Sequence, residues 1–177
     1  MTKHISLLRG INVGGKRKIL MADLKELYKK LGYKNIVTYI QSGNVIFEAK
    51  EKDQSKIEAK IYKAIQKAYG FEVPIVVRSV EEIEEIISNN PFTKKTAIES
   101  LHLTFLKEIP SEENLEKIAT YDYSPDQFKI VGKNVFLYCE GKYHKTKLSN
   151  TFFEKKLKVG TTTRNWKTVN KLLELSK

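Results

Sequence analysis

The residues best suited to chemistry lie in a glycine-rich, basic segment near the start of the chain, LLRGINVGGKRK at positions 7–18. From Gly10 to Lys16 this segment satisfies the phosphate-binding pattern G-x-x-x-x-G-K, but Arg17 stands where a Ser or Thr would bind Mg²⁺. Because that hydroxyl is missing, and because no apolar strand ending in aspartate is present to hold the metal, the parts needed for nucleotide hydrolysis are incomplete. Two interpretations stay open: an anion-binding loop, or a glycine bend whose basic side chains lie in water.

Two other segments place amide and guanidinium groups at turns or strand ends. They read TYIQSGNV at positions 38–45 and TTRNWKTV at positions 162–169. Side chains at such places can converge on a ligand. The three segments together therefore predict a small phosphate- or carboxylate-bearing ligand in a cleft between the two halves of the chain. The predicted ligand-binding residues are Arg9, Asn12, Gly14, Gly15, Lys16, Gln41, Ser42, Asn44, Lys147, Arg164, Asn165 and Trp166.

The segment around Arg164 also has a purely structural interpretation. In one reading, Arg164 shares an anion with the N-terminus of the helix that follows it. In the structural interpretation, Arg164 and Asn165 cap that helix and hold it in place, while Trp166 packs between the two units.

No catalytic or metal-binding constellation can be named. The three histidines, His4, His102 and His144, have no short ligand spacing, and Cys139 is the single cysteine. A Ser-Gly hairpin turn explains Ser42 without catalysis. We therefore expect no metal and no cofactor, and a binding protein is favoured over an enzyme that acts on a nucleotide or another phosphate compound.

Composition indicates a folded chain with an excess of positive charge. The 177 residues are 41% hydrophobic, and the formal net charge is +11. Basic runs at 9–18 and 142–158 make nucleic-acid binding through the phosphate backbone the alternative function. RNA recognition by stacking on a strand is disfavoured, since Phe47 stands alone on its strand and Phe136 with Tyr138 suits a core equally well. No stretch has the length of a signal core or a membrane span, so a cytoplasmic protein without a membrane partner is expected.

Periodicity predicts the order β-α-β-β-α-β in the first half of the chain. Strands are expected at 4–8, 36–41, 44–49 and 73–77, with Ser42-Gly43 as a two-residue turn between the second and third. Helices are expected at 21–31 and from the Asp53 cap to Tyr69, where Gly70 ends the second one.

The second half repeats that order, and short sequence matches align the two halves. His4 pairs with His102, Asn44 with Asn134 and Arg78 with Arg164. These matches predict an α+β protein of two tandem ferredoxin-like units made by internal duplication, with mainly antiparallel sheets and helices packed on them. The predicted units are residues 1–90 and 91–177, joined at Asn89-Asn90-Pro91-Phe92.

The segments LRGINVGG, TYIQSGNV and TTRNWKTV, with NPF at 90–92, are together far more distinctive than any single glycine pattern. On them the chain resembles the bacterial family DUF1697, a domain of unknown function, over essentially its whole length. That resemblance implies a small cytoplasmic protein with a duplicated ferredoxin-like architecture, and it implies no established activity.

Overall fold

The chain is an α+β protein with two four-stranded antiparallel sheets, seen in a computed structural model that describes residues 1–94 and 96–177. The described residues form eight strands and six α-helices. The elements of the first half are β1 Thr2–Leu8, α1 Met21–Lys30, β2 Lys34–Tyr39, β3 Asn44–Ala49, α2 Gln54–Tyr69, β4 Ile75–Ser79 and α3 Val80–Ser88. Those of the second half are β5 Leu101–Leu106, α4 Glu112–Ile118, β6 Gln127–Val131, β7 Asn134–Tyr138, α5 Asn150–Leu157, β8 Thr161–Asn165 and α6 Trp166–Ser176.

The two sheets have the same internal order. The first is β2-β3-β1-β4 and the second is β6-β7-β5-β8. In each sheet the first strand of its half lies between the third and the fourth, so β1 and β5 are central. Their burial agrees with this position, because His4 to Leu8 and all of Leu101–Leu106 are buried.

Helix α2 shows why the sequence folds locally as predicted. Asp53 accepts hydrogen bonds from the backbone N–H groups of Ser55 and Lys56, which caps the helix. Gly70 ends it with a φ of +75°, the left-handed conformation that glycine adopts without strain. The apolar stripe predicted from helical spacing is buried at Ile57, Ile61 and Ile65.

Each half has its own apolar core under its sheet. In the first, Tyr28, Tyr33 and Phe47 form a cluster of aromatic rings whose centroids lie 4.6–5.8 Å apart. In the second, Phe153 packs edge-to-face on Phe128 at 5.6 Å. Such edge-to-face pairs stabilise a core beyond the area they bury.

The connection between β2 and β3 differs from the prediction. The expected two-residue turn at Ser42-Gly43 is a four-residue turn, residues 40–43, because β2 ends at Tyr39. The strand ends early because Ile40 has a φ of +52°, which is not an extended conformation. The second hairpin, in contrast, has a two-residue turn, Gly132-Lys133.

The chain divides into two compact units, residues 1–85 with 171–177 and residues 86–170. The prediction placed the division at 90 and 91, as the repeat suggested, and left the C-terminus in the second unit. The end of α6 belongs to the first unit, where the Lys3 Nζ donates to the Ser176 carbonyl at 2.6 Å. Within the described residues, no helix combines the length and the apolar character needed to cross a bilayer.

Candidate functional site: the basic loop of the first unit

The loop between β1 and α1, residues 9–20, leaves the sheet at a defined point. The backbone N–H of Leu8 donates to the Gly43 carbonyl at 2.8 Å, and the N–H of Arg9 donates to the Pro74 carbonyl at 3.0 Å. The loop therefore begins beside the 40–43 turn and beside the residue that precedes β4. We call residues 9–20 the basic loop.

Asn12 fixes the shape of the basic loop. Its side-chain Nδ2 donates to the carbonyls of Ile19 and Gln41, both at 2.9 Å, while its Oδ1 accepts from the Ile19 N–H at 2.9 Å. Its φ of +56° is a conformation that Asn tolerates better than most residues. The Asn12 side chain thus holds the loop closed and links it by a hydrogen bond to the 40–43 turn.

The tip of the basic loop is a tight turn. Gly14 and Gly15 have φ values of +58° and +72°, and the Lys16 N–H donates to the Val13 carbonyl at 3.0 Å. Two successive residues with positive φ define a type I′ turn, which glycine forms at no steric cost. In a phosphate-binding P-loop the lysine opens a helix beside a parallel sheet, whereas here α1 begins only at Met21 and the sheet is antiparallel.

The side chains of the basic loop present positive charge to solvent. Lys16, Arg17 and Lys18 are exposed, and Arg9 is half-buried. The Arg17 guanidinium lies over Gly10, since a Cβ at Gly10 would come within 3.1 Å of the Arg17 Nη1. In the part of the chain that the structure describes, no acidic side chain forms an ion pair with Lys16, Arg17 or Lys18.

The 40–43 turn is held by Asn44. This buried side chain donates to the Tyr39 carbonyl at 2.9 Å and to the Ser42 hydroxyl at 3.0 Å. Its amide hydrogens are therefore used inside the protein, and its role is to shape the turn. Gln41, in contrast, is exposed and touches the basic loop through its carbonyl.

The structure thus places the predicted site residues of the first unit on two segments, the basic loop and the 40–43 turn with Asn44, which are joined by the hydrogen bond from Asn12 to the Gln41 carbonyl. They are Arg9, Asn12, Gly14, Gly15, Lys16, Gln41, Ser42 and Asn44.

The predicted residues of the second unit have structural surroundings of their own. Arg164 is buried, its Nη1 donates to the Thr163 carbonyl at 3.0 Å, and burial lowers its pKa to about 10. Asn165 caps α6 by accepting from the Thr168 N–H at 2.8 Å. Trp166 packs edge-to-face on Phe136, with ring centroids 6.4 Å apart. The structural interpretation of Asn165 as a helix cap is confirmed.

Much of the second basic run lines a cavity that no motif indicated. Lys147 lies outside this cavity, with its Nζ 5.6 Å from the centre of the Tyr123 ring. The Lys156 Nζ donates to the Tyr121 hydroxyl and lies 4.4 Å from the centre of that ring. The cavity has a volume of about 350 Å³ and is lined by Asn114, Lys117, Thr120, Tyr121, Lys155, Lys156 and Lys158. Only the lysine density of the sequence at 142–158 could have indicated it.

Five side chains considered for stacking or reactivity lie in the interior: Phe47, Phe136, His4, His102 and Cys139. Phe47 and Phe136 are buried in their sheets, so neither can stack on a nucleic-acid base. Burial lowers the pKa of His4 and of His102. Burial likewise raises the pKa of the Cys139 thiol to about 11, which leaves a protonated, unreactive thiol at neutral pH. Among the residues described, no three His, Cys, Asp or Glu side chains are placed to hold a metal ion.

The fold is that of a small α+β protein made of two units. Each unit has a four-stranded antiparallel sheet, and the first carries the basic loop. The chain belongs to the family described as "Protein of unknown function (DUF1697)", whose sequence model matches residues 1–136. The resemblance is therefore confirmed over residues 1–136, which include LRGINVGG, TYIQSGNV and NPF but not TTRNWKTV.

A solved structure has the same fold. It is the conserved bacterial protein SP0830 from Streptococcus pneumoniae, which is 24% identical, covers 99% of each chain and gives a TM-score of 0.80. At this identity the likeness is one of fold. A search of curated proteins gave no match.

Proposed function

We propose that this protein binds a small phosphate-bearing anion on the basic loop of its first unit. The observation that carries the proposal is the arrangement of Lys16, Arg17 and Lys18, three exposed cations on a backbone that Asn12 already fixes. A preorganised loop loses little conformational entropy when it binds, so more of the electrostatic attraction contributes to affinity. Phosphate is favoured over carboxylate because a guanidinium and two ammonium groups can surround its several oxygens.

The residues around the cations have supporting roles in this proposal. Gly14 and Gly15 form the tip, while Gln41 and Ser42 build the neighbouring turn. The second-unit residues Lys147, Arg164, Asn165 and Trp166 stay predictions from the sequence. So does the cytoplasmic location, with which a single reduced cysteine is compatible.

A thermal-shift titration tests the proposal. Phosphate, pyrophosphate and ATP are added at constant ionic strength, with citrate as the carboxylate comparison, because a ligand that binds only the native state raises Tm. The triple variant Lys16→Ala/Arg17→Ala/Lys18→Ala should lose the shift. The matched control, Lys25→Ala/Lys63→Ala/Lys67→Ala, removes the same charge from exposed helix positions of the same unit and should keep it.

Two results would contradict the proposal. One is a phosphate-dependent shift that survives in the loop variant. The other is a shift lost equally in both variants, which would mean that net charge and not the loop attracts the anion.

Nucleic-acid binding is the second candidate function, and the lysine-lined cavity favours it. Lys155 and Lys158 line this cavity together with Tyr121, and cations beside an aromatic ring suit a phosphate backbone. Affinity for a fluorescent single-stranded oligonucleotide should then fall steeply with salt. Lys155→Ala/Lys158→Ala should weaken binding and flatten that salt dependence, and an unchanged affinity would exclude the cavity.

We also infer that the two halves arose by duplication of one ferredoxin-like unit. Corresponding backbone contacts in the two sheets support this inference. The Leu8 N–H to Gly43 carbonyl bond has its counterpart in the bond from Leu106 to Lys133, at the same 2.8 Å. The Arg9 to Pro74 bond likewise matches the bond from Lys107 to Gly160.

The strand registers agree with the sequence matches as well. Leu7 pairs with Asn44 in the first sheet, and Phe105 pairs with Asn134 in the second. Ile5 faces Arg78 just as Leu103 faces Arg164. This agreement at equivalent positions in three strands of each sheet supports duplication over chance similarity.

A further inference from the structure

Two aliphatic side chains of the basic loop and one of the neighbouring 40–43 turn are exposed to solvent. Val13 is 65% exposed, Leu20 is 68% exposed and Ile40 is 47% exposed. Single exposed aliphatic side chains need no explanation, but several in one place mark an interaction surface.

The hydrogen bonds of Asn12 place the backbone of all three residues near one junction. Its Nδ2 donates to the Ile19 and Gln41 carbonyls at 2.9 Å each, so these two oxygens lie within twice that distance of each other. Val13 follows Asn12 in the chain, Leu20 follows Ile19, and Ile40 precedes Gln41. Each exposed side chain is therefore one residue away from the same junction.

Ile40 is also held in an unfavourable backbone conformation. Its φ of +52° lies in the left-handed region, where a β-branched residue is a genuine outlier. Asn or Gly would fit this position with less strain. A strained residue that also exposes its apolar side chain contributes little to folding, which makes a role in binding the better explanation.

We propose that the basic loop docks on an anionic phospholipid surface. Val13, Leu20 and Ile40 enter the boundary between headgroups and acyl chains, and the cations of the loop contact lipid phosphates. Charge complementarity selects an anionic partner, and the aliphatic character of the patch suits acyl chains better than nucleic-acid bases, which stack on aromatic rings.

This inference rests on the proposed function, because it names the phosphate-bearing ligand of the same loop as a lipid. It departs from the expectation of no membrane partner, which considered only leader and membrane-spanning segments.

Vesicle co-sedimentation tests the docking. Vesicles of phosphatidylcholine alone are compared with vesicles of phosphatidylcholine and phosphatidylglycerol in equal parts. The protein should sediment only with the anionic vesicles. Both Val13→Ser/Leu20→Ser and Ile40→Asn should lower the partition coefficient by roughly tenfold, because each removes apolar area that would leave water. Ile109→Ser, at a 66% exposed position of the second unit, is the control and should bind normally.

Two further measurements separate lipid docking from simple charge attraction. The pyrophosphate-induced rise in Tm should persist in the apolar variants, because their cations are intact. Ile40→Asn should melt no lower than the unmodified protein, since Asn accepts a positive φ more readily.

The results distinguish lipid docking from phosphate binding and from nucleic-acid binding. If the apolar variants sediment normally, or if only pyrophosphate binds and no vesicle does, the lipid inference fails while the proposed function stands. If neither vesicles nor phosphate compounds bind, both fail. If an oligonucleotide displaces the vesicles and binds the apolar variants with full affinity, the loop is a nucleic-acid surface and the lipid inference is overturned.

Discussion

At the scale of single residues, Gly43 allows the basic loop and the 40–43 turn to pack together. It is buried with a φ of +87°, and an added Cβ would lie 2.7 Å from both the Ile11 Cδ1 and the Leu8 Cβ. Real side chains do not approach so closely, and the left-handed conformation adds strain.

Gly43→Ala should therefore lower the free energy of unfolding by about 3 kcal/mol. Gly132→Ala is the control, because its φ of +57° is similar but nothing lies within 4 Å of the added Cβ. That variant should cost about 1 kcal/mol. Urea unfolding measures both, and equal losses would mean that the close approach to Ile11 and Leu8 does not matter.

Asn12 combines a left-handed backbone with three side-chain hydrogen bonds. Asn12→Gly keeps that backbone accessible and removes only the bonds, so a loss of about 2 kcal/mol is expected. Asn35→Gly is the matched control, since Asn35 has a φ of +50° and is exposed. It should change stability by less than about 0.5 kcal/mol. Similar losses in urea unfolding of the two variants would refute the role of Asn12 as a clamp.

At the scale of elements, the helices that follow β4 and β8 begin at corresponding caps of different residue type. Ser79 and Glu82 form a reciprocal capping box, with bonds of 2.7 and 3.2 Å. Asn165 caps α6 through the Thr168 N–H at 2.8 Å. Both residues can cap a helix, because Ser and Asn are both strong N-cap residues.

The caps should therefore be interchangeable. Ser79→Asn and Asn165→Ser are expected to keep most of the stability, whereas Ser79→Ala and Asn165→Ala should each lose about 1 kcal/mol. Thermal unfolding followed by circular dichroism distinguishes the pairs. An exchange variant as unstable as its alanine counterpart would show that the two positions are not equivalent.

Elements with a strong period or a clear cap were predictable from the sequence. Helix α2 agrees at both ends because Asp53 and Gly70 act through local backbone geometry. The 40–43 turn was not predictable, because Asn44 and the tertiary contacts of Gly43 impose a positive φ on Ile40 that no propensity suggests. Tertiary contacts overrule local preference at such positions.

The candidate site, too, could be predicted from the sequence only where local residue type decides the structure. The glycines and cations of the basic loop could be found from their spacing, since residue type alone makes Gly14-Gly15 a turn and Arg17 a cation. The hydrogen bond from Asn12 to Gln41, and the exposure of Leu20 and Ile40 beside it, depend on how two distant segments meet. The sequence pattern also could not show that Arg164 is buried.

At the scale of the whole molecule, two corresponding buried histidines couple folding to pH. Burial lowers the pKa of His4 and of His102 from the ordinary value of 6.5. The His4 Nε2 lies 3.2 Å from the Glu51 carbonyl, and the His102 ring stacks on Tyr143 at 4.5 Å. Both positions belong to the central strand of their sheet, so a charge there is poorly solvated.

Because the native pKa values are depressed, the unfolded chain binds more protons than the native protein as pH falls through 6.5. The stabilisation that comes from keeping these rings neutral is complete above that pH and is lost below it. Each histidine contributes a slope of at most about 1.4 kcal/mol per pH unit. The urea concentration at the unfolding midpoint, measured between about pH 5 and 7.5, should decrease as the pH is lowered, since the ordinary histidine pKa lies in that range.

The variant His4→Gln/His102→Gln should flatten this pH profile, because the amide does not titrate in the range and can still donate a hydrogen bond. An unchanged slope in the double variant would assign the pH dependence to carboxylates. The single variants His4→Gln and His102→Gln assign the pH dependence to the two sheets separately, because His4 belongs to the first sheet and His102 to the second.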